Sequence, residues 1–457
     1  MQNFTDIESL KAKRILILGI GKTGASMVRF CISKNLKFEI ADSGDNPSEL
    51  NYVRENFPET KIYWGPFSRL NLEEIDIIFK SPGIPSDDPI FSRCRKSSIC
   101  LITEMDLFLA EIHSPLVAIT GSNGKSTVTS LVGNIAEVEG LKVAVGGNLG
   151  SPMLDLIDDH IDLYVIELSS YQLENVDNMK GGVVCILNIT PDHLDRHKTM
   201  QNYIEAKIRI CSGASHVLLN ANDEITSKLK VTAKKSFFGT SSPESGNVGL
   251  VAKNSKPYIY FGKKKIMPVD HISIYGPHNL SNVLAACGLA SIIGLSMKSI
   301  REAISVFKGL PHRCEKFLTI KNIDFINDSK STNIDSTRVA IEAFRSDQTK
   351  NIILLMGGID KNQNFSILNS IIGSAVKKLV LFGRHAERIK KMIDRSFPSE
   401  IFGFLEEATT HAYQIADSGD KILFSPGCSS FDEFANFEER GSYFKKLILR
   451  HGSKYEK

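Results

Sequence analysis

Three times along this chain a continuous aliphatic run gives way at glycine to a segment with helical spacing. The runs are Arg14-Ile15-Leu16-Ile17-Leu18-Gly19, Leu116-Val117-Ala118-Ile119-Thr120 before Gly121, and Asn351-Ile352-Ile353-Leu354-Leu355-Met356-Gly357. A strand that is apolar at every position must be covered on both faces, and crossover helices after glycine turns supply that cover. The pattern predicts an α/β protein built on parallel sheets. Each run opens or sits inside its own unit, and 457 residues exceed what one ordinary core holds. Three domains are therefore expected, over 1–112, 113–311 and 312–457. His113-Ser114-Pro115 and Gly309-Leu310-Pro311 provide turn chemistry at the two junctions. Residues 214–271 alternate short strand-like pieces with Gly, Ser, Asn and Pro, which reads as a small antiparallel flap on a larger sheet.

The second run leads into Thr120-Gly121-Ser122-Asn123-Gly124-Lys125-Ser126-Thr127. Backbone N–H groups of a glycine loop, joined by the free N–H groups of the helix start, form a concave anion site. Lys125 is placed to reach the β- and γ-phosphates of ATP and Ser126 to coordinate Mg2+. The string is not a full Walker A motif, because Ile119 stands where the first glycine is expected. The expected architecture is a Rossmann-like N-terminal domain, a P-loop-type central ATPase domain and a Rossmann-like C-terminal domain. Two further strand-like runs end in chemistry: Asp162-Leu163-Tyr164-Val165-Ile166-Glu167, and a run closing with Thr190-Pro191-Asp192-His193. Ligands of parallel sheets sit beyond the carboxyl ends of the strands, so Glu167 and His193 are expected beside the loop. Each alone also reads as an ordinary strand-end side chain.

Near-balanced charge, 55 basic against 52 acidic residues, gives no nucleic-acid groove and no membrane-binding surface. The eight cysteines lack a Cys-x-x-Cys pair and several lie in apolar runs, which reads as buried thiols in a reducing compartment. The first eight residues carry no basic stretch leading into an apolar one, as a secretory signal would, and no apolar run nears membrane-spanning length. A cytoplasmic monomer is expected.

The first run leads into Gly19-Ile20-Gly21-Lys22-Thr23-Gly24, and Asp42 closes the following strand. Read alone, this is a dinucleotide fingerprint, and it keeps open an NAD-dependent oxidoreductase. The same turn serves any diphosphate.

Several strings together resemble the Mur ligases. They are Thr120–Thr127, Gly146–Gly150 (Gly-Gly-Asn-Leu-Gly), Glu167–Glu174 (Glu-Leu-Ser-Ser-Tyr-Gln-Leu-Glu), Pro191–Arg196, Ala206–Ile210 and Gly276–Asn282. The likeness continues through His312-Arg313, Asn327–Asn333 and Ser425–Phe437, so it covers the chain in order. Within that family the third domain selects the amino acid, and the last two strings look like those of the D-glutamate-adding branch. A diamino-acid ligase is expected to carry Asp-Asn-Pro in its third domain; here that tripeptide is Asp45-Asn46-Pro47, in the first.

The resemblance implies a site. Gly121, Ser122, Asn123, Gly124, Lys125, Ser126 and Thr127 would hold ATP, with Asn279 and Asn282 at the adenine and Arg313 and Asp328 approaching from domain three. Ser126, Glu167, His193 and Lys207 would serve two Mg2+ ions, Lys207 as a carbamate; Lys125, Glu167, His193 and Lys207 form the catalytic set. A lysine kept neutral by burial can add CO2 and become an anion. Lys22, Thr23, Asp42, Ser81, Pro82 and Gly83 would cradle the UDP portion of UDP-N-acetylmuramoyl-L-alanine, with Ser43-Gly44 leaving the uracil contacts open. Asn148, Ser169 and Gln172 would meet its muramoyl-alanine portion, and Lys330, Thr332, Lys361, Ser430 and Phe437 would seat D-glutamate.

The implied reaction phosphorylates the alanyl carboxylate and passes the acyl group to the glutamate amine, with domain three closing to exclude water. A sibling ligase specific for L-alanine and a non-catalytic ATP-binding module remain as alternatives. A folylpolyglutamate-type enzyme would lack the first glycine turn.

Overall fold

The computed structural model describes residues 7–44, 47–274, 276–346 and 348–453. The first six residues of the N-terminal reading, and Asp45 and Asn46 of the Asp-Asn-Pro string, lie outside the described residues. The chain forms two compact units. One runs up to His271 and takes in Ser281–Val306; the other combines Ile272–Leu280 with the chain from Phe307 onward.

The first unit holds two sheets. The N-terminal one has five parallel strands in the spatial order Ile62–Trp64, Phe38–Asp42, Ile15–Leu18, Ile77–Lys80, Cys100–Thr103. Its order reverses at Ile15–Leu18, the strand feeding the first glycine turn, and that is where an open parallel sheet presents a crevice. Alternation along the strands explains the double cover. Ile15, Ile17, Ile77 and Phe79 enter one apolar cluster, while Leu16, Leu18 and Ile78 enter another on the opposite face. The first cluster runs without a break into the second sheet, where Phe108 meets Tyr164 edge to face at 5.2 Å.

The second sheet has nine strands. Its centre is parallel: Val143–Gly147, Leu163–Glu167, Leu116–Thr120, Val183–Ile186, His216–Asn220 and Lys234–Phe238 lie side by side. Only Val248–Lys253, Lys256–Phe261 and Lys264–Pro268 form an antiparallel meander. Of the flap expected over 214–271, only 248–268 is antiparallel. His216–Asn220 is buried at every position, as an interior parallel strand must be, so it and its neighbour extend the main sheet instead.

The second unit carries one six-stranded sheet in the order Glu315–Ile320, Ile323–Asn327, Lys421–Phe424, Ile352–Gly357, Val376–Phe382, Ser399–Phe402. All neighbours are parallel except the first pair. Ile352, Leu354 and Met356 pack into one cluster, Ile353 and Leu355 into the opposite one. The chain thus has three sheet-bearing α/β domains in two units. All eight cysteines are free, and six of them are buried. No helix among the described residues is long and apolar enough to cross a membrane.

Candidate active site

The phosphate loop is built by the centre of the nine-stranded sheet. Leu116–Thr120 is wholly buried between two parallel neighbours, and the register sets Ile119 opposite Glu167 and Thr120 opposite Ile186. Three strands therefore end at one level. Thr120 donates its hydroxyl proton to the Leu168 carbonyl at 2.8 Å, tying two of those ends together. The loop is latched to the third. Asn123 N–H donates to Asn188 Oδ1 at 2.8 Å, Asn188 Nδ2 donates to the Asn123 carbonyl at 3.0 Å, and Ser122 Oγ meets the Thr190 carbonyl and the Tyr203 hydroxyl at 2.9 Å each. Gly124 is left-handed at φ 87° and caps the helix Lys125–Val138; a Cβ there would also come within 2.3 Å of Asn282 Oδ1.

Around this loop the candidate chemistry converges. Lys125 Nζ donates to the carbonyls of Gly121 and Ser122 at 2.8 and 2.9 Å. Lys207, on the helix Met200–Ile208, is 1% exposed, and its Nζ donates to the same Gly121 carbonyl at 2.9 Å. Burial, helped by the nearby positive charge of Lys125, holds the Lys207 ammonium well below its ordinary pKa; Asp192 and Glu167 pull the other way. Glu167 is equally buried. Its Oε1 accepts from Asn148 Nδ2 at 2.6 Å, and among the described residues its Oε2 has no hydrogen-bond partner. The hydroxyl of Thr127 is also buried and unpartnered, beside the buried Ser126. His193 is left-handed at φ 53°, with Nδ1 held by the Tyr171 hydroxyl at 2.8 Å.

Unpaired buried oxygens are costly unless something else satisfies them. Among the described residues no three His, Cys, Asp or Glu side chains cluster into a metal cage. That donor set suits Mg2+, which takes one or two protein oxygens and completes its shell with phosphate and water. The Ser126 hydroxyl and the buried Glu167 carboxylate offer oxygens for such a role, whereas His193 offers only a ring nitrogen, one of its two being held by Tyr171. Ser169 and Gln172 are engaged with each other in a capping box at the helix Ser170–Leu173.

The second locus is the crevice of the N-terminal sheet, a cleft of about 520 Å³ lined by Lys22, Thr23, Asp42, Ser81, Pro82 and Gly83, among others. Gly24 lets the helix start pack on the turn, since a Cβ would fall 1.9 Å from the Gly19 carbonyl oxygen. Gly21 faces open space. Asp42 spends one oxygen on the Ile20 N–H at 2.6 Å and the other on the Gly44 N–H at 2.7 Å, so it shapes the turn as well as facing the cleft.

The second unit gathers the remaining residues on loops at the carboxyl ends of adjacent strands. Gly427 N–H donates to the Ser331 carbonyl at 3.0 Å, and Ile359 and Ser429 exchange backbone hydrogen bonds at 2.9 and 3.0 Å. These contacts bring together the loops bearing Thr332, Lys361 and Ser430. Lys330 Nζ stands 4.1 Å over the Phe437 ring. Asp328 accepts from Cys314 N–H and Ser425 Oγ, and burial raises its carboxyl to about 6 against those bonds and the charge of Arg313. Asn279 belongs to this unit and Asn282 to the first, on one helix, Pro277–Ile292.

Sequence reasoning missed Arg440. It is 1% exposed and donates to Ser329 Oγ, the Ser329 carbonyl and the Cys428 carbonyl at 3.1, 2.8 and 3.0 Å. It thereby wires the loop after Asn327 to the loop after Phe424. Nothing in an amphipathic helix marks one arginine as inward-facing.

Family models match three stretches: the Mur ligase MurD-like N-terminal domain over 13–103, the Mur ligase middle domain over 119–290, and the Mur ligase glutamate ligase domain over 312–428. The chain is 39% identical over 438 residues to a UDP-N-acetylmuramoylalanine–D-glutamate ligase of Legionella pneumophila, covering 95% of this chain and 98% of the relative. It is 37% identical over 434 residues to a protein of the same name in Pseudomonas aeruginosa, covering 95% and 97%. In fold it is similar to a pseudomurein peptide ligase type C from Methanothermus fervidus (TM-score 0.62, 19% identity, 96% of this chain and 99% of that one). It is likewise similar to the UDP-N-acetylmuramate–alanine ligase MurC from Thermotoga maritima (TM-score 0.60, 19% identity, 97% and 100%). With its phosphate loop, first-domain cleft and all three domains matched in order, the chain belongs to the Mur ligase family.

Proposed function

We propose that this chain joins D-glutamate to UDP-N-acetylmuramoyl-L-alanine, using ATP, in the synthesis of peptidoglycan precursors. The observation that carries the reading is the meeting of Lys125 and Lys207 at one carbonyl of the phosphate loop, next to an unsatisfied buried Glu167 oxygen. The names of the full-length relatives support the choice of substrates.

A carboxylate does not react with an amine, because its leaving group would be hydroxide. The alanyl carboxylate oxygen attacks the γ-phosphorus of ATP and ADP departs. The glutamate nitrogen then attacks the acyl carbon, and phosphate leaves. The N–H groups of Gly121–Gly124 and the helix start hold the triphosphate, and Lys125 moves from its loop carbonyls onto it. Ser126, Glu167, His193 and a carbamate on Lys207 would hold two Mg2+ ions, which when bound neutralise the gathered anions. Asn282, against Gly124, and Asn279 contribute to the adenine site, with Arg313 and Asp328 serving the nucleotide from the C-terminal domain. The N-terminal cleft takes the uridine diphosphate, with Asn148 toward the muramoyl-alanine. Thr332, Lys361, Ser430 and Phe437 seat the two glutamate carboxylates, for which a cation and hydroxyls are suited partners.

The boundaries proposed for these roles are 1–112, 113–311 and 312–457. We place the protein in the cytoplasm, where unpaired thiols persist, as a monomer.

The test is phosphate release from ATP and UDP-N-acetylmuramoyl-L-alanine with single amino acids supplied in turn. D-glutamate should sustain release and L-glutamate or L-alanine should not. Release with UDP-N-acetylmuramic acid and L-alanine instead would move the activity to the preceding step.

A further inference from the structure

Arg196 lies three residues past His193, in the short helix Leu194–His197. Its guanidinium reaches the turn that follows the strand Ile77–Lys80 of the other sheet. There it donates to three successive carbonyls: Pro82 at 3.2 Å, Gly83 at 2.9 Å and Ile84 at 2.9 Å. Glu174 grips the same guanidinium from the side, Oε1 on Nε at 3.0 Å and Oε2 on Nη2 at 2.9 Å. Ser86 Oγ donates to Glu174 Oε2 at 2.5 Å, so the carboxylate is itself anchored to the far end of the turn. The guanidinium carbon sits 4.9 Å above the Tyr171 ring, whose hydroxyl holds His193.

A planar trans peptide points its C=O and the next N–H in opposite directions. With the Pro82 carbonyl drawn toward Arg196, the Gly83 N–H is turned away from it. Among the described residues that N–H donates to no protein acceptor, whereas the neighbouring Ile84 N–H is spent on the Ser81 carbonyl at 3.2 Å. Pro82, Gly83 and Ile84 all line the N-terminal cleft, and Arg196 does not.

We propose that Arg196 is a positioning residue for the nucleotide cleft: gripping the Pro82–Ile84 carbonyls from behind, it keeps the Gly83 N–H presented to a uridine nucleotide in front. This rests on reading the cleft as the uridine nucleotide site. Only a fork of several donors spans three carbonyls and a carboxylate at once; a lysine is a point donor and cannot.

The test is calorimetric titration of the full chain with UDP and, separately, with ATP and Mg2+. Arg196→Ala is expected to weaken UDP at least tenfold and to leave ATP within twofold. Arg196→Lys should rescue little, and Glu174→Gln, which loosens the grip without removing it, should fall between. In turnover, KM for the uridine substrate rises while KM for ATP holds. If Arg196→Ala fails to fold, Arg196→Lys decides by the same UDP measurement. UDP affinity within twofold of wild type in the folded Arg196 variants overturns the positioning role alone. A wild-type chain that binds ATP but not UDP overturns the reading of the cleft, and the positioning role with it.

Discussion

The side chains of Lys125 and Lys207 share one acceptor, the Gly121 carbonyl oxygen, at 2.8 and 2.9 Å. Two ammonium groups so placed repel, and the fully buried one gives up its proton more readily. A neutral Lys207 amine is a nucleophile for CO2, and the carbamate formed would be an anion facing Lys125. Lys207→Ala should therefore lower turnover by roughly a thousandfold, the scale of losing one preorganised charge, with ATP binding retained. Turnover should also fall in CO2-free buffer and return with bicarbonate. Near-normal rates in the variant, or indifference to CO2, contradict this.

Glu104 joins the helix after the N-terminal sheet to the second sheet, its Oε1 accepting from Met153 N–H at 2.9 Å, and among the described residues its buried Oε2 has no partner within hydrogen-bonding distance. Burial raises its carboxyl from 4.5 to about 7, against the pull of the Met153 and Leu154 amides. Between those values the native state binds more protons than the unfolded chain. The stabilisation is thus full below pH 4.5 and is lost as pH rises to 7. The total is about 3 kcal/mol at 1.36 kcal/mol per unit. Urea midpoints should fall for wild type from pH 5 to pH 8, and Glu104→Gln should flatten that slope and be the more stable protein at pH 8. Parallel pH profiles would remove Glu104 as the cause.

Gly24→Ala drives a Cβ to 1.9 Å from the Gly19 carbonyl oxygen, where backbone must shift. A loss of roughly 1–3 kcal/mol is expected, with UDP binding reduced and ATP binding unchanged. Thermal unfolding and the two titrations report these separately. An unshifted midpoint would show that the turn yields freely.

What the sequence disclosed followed from backbone chemistry. The glycines at 21, 24, 121 and 124 stand where a strand turns into a helix, so spacing alone picked out both turns, while the ligand proposed for each came from the family resemblance. Continuous apolar runs announced the parallel sheets. Long-range partnerships were silent. Arg196 meets a turn 112 residues earlier, and Arg440 grips Ser329 across 111 residues; each reads as a solvated helix charge in one dimension. The piece His216–Asn220 was misjudged for the same reason, since short strand patterns do not name their neighbours. Lys207 was found only through its motif, as helical spacing by itself would put it on the surface.

Arg440 has no carboxylate at its hydrogen-bonded ends, only carbonyls and a hydroxyl, and burial lowers it to about 10. Arg440→Met should cost about 2 kcal/mol through the carbonyls left unpaired and raise KM for D-glutamate at least tenfold while ATP affinity stays put. An unchanged KM for D-glutamate would leave Arg440 a purely structural residue.

In the proposed reaction ATP activates the alanyl carboxylate by phosphorylation. This step is tested by supplying UDP-N-acetylmuramoyl-L-alanine labelled with oxygen-18 in both carboxylate oxygens and analysing the released phosphate by mass spectrometry. One labelled oxygen should pass to each phosphate, because the attacking carboxylate oxygen keeps its new bond to phosphorus while its bond to the acyl carbon breaks. Phosphate without label, released while the amide product accumulates, would rule out an acyl phosphate.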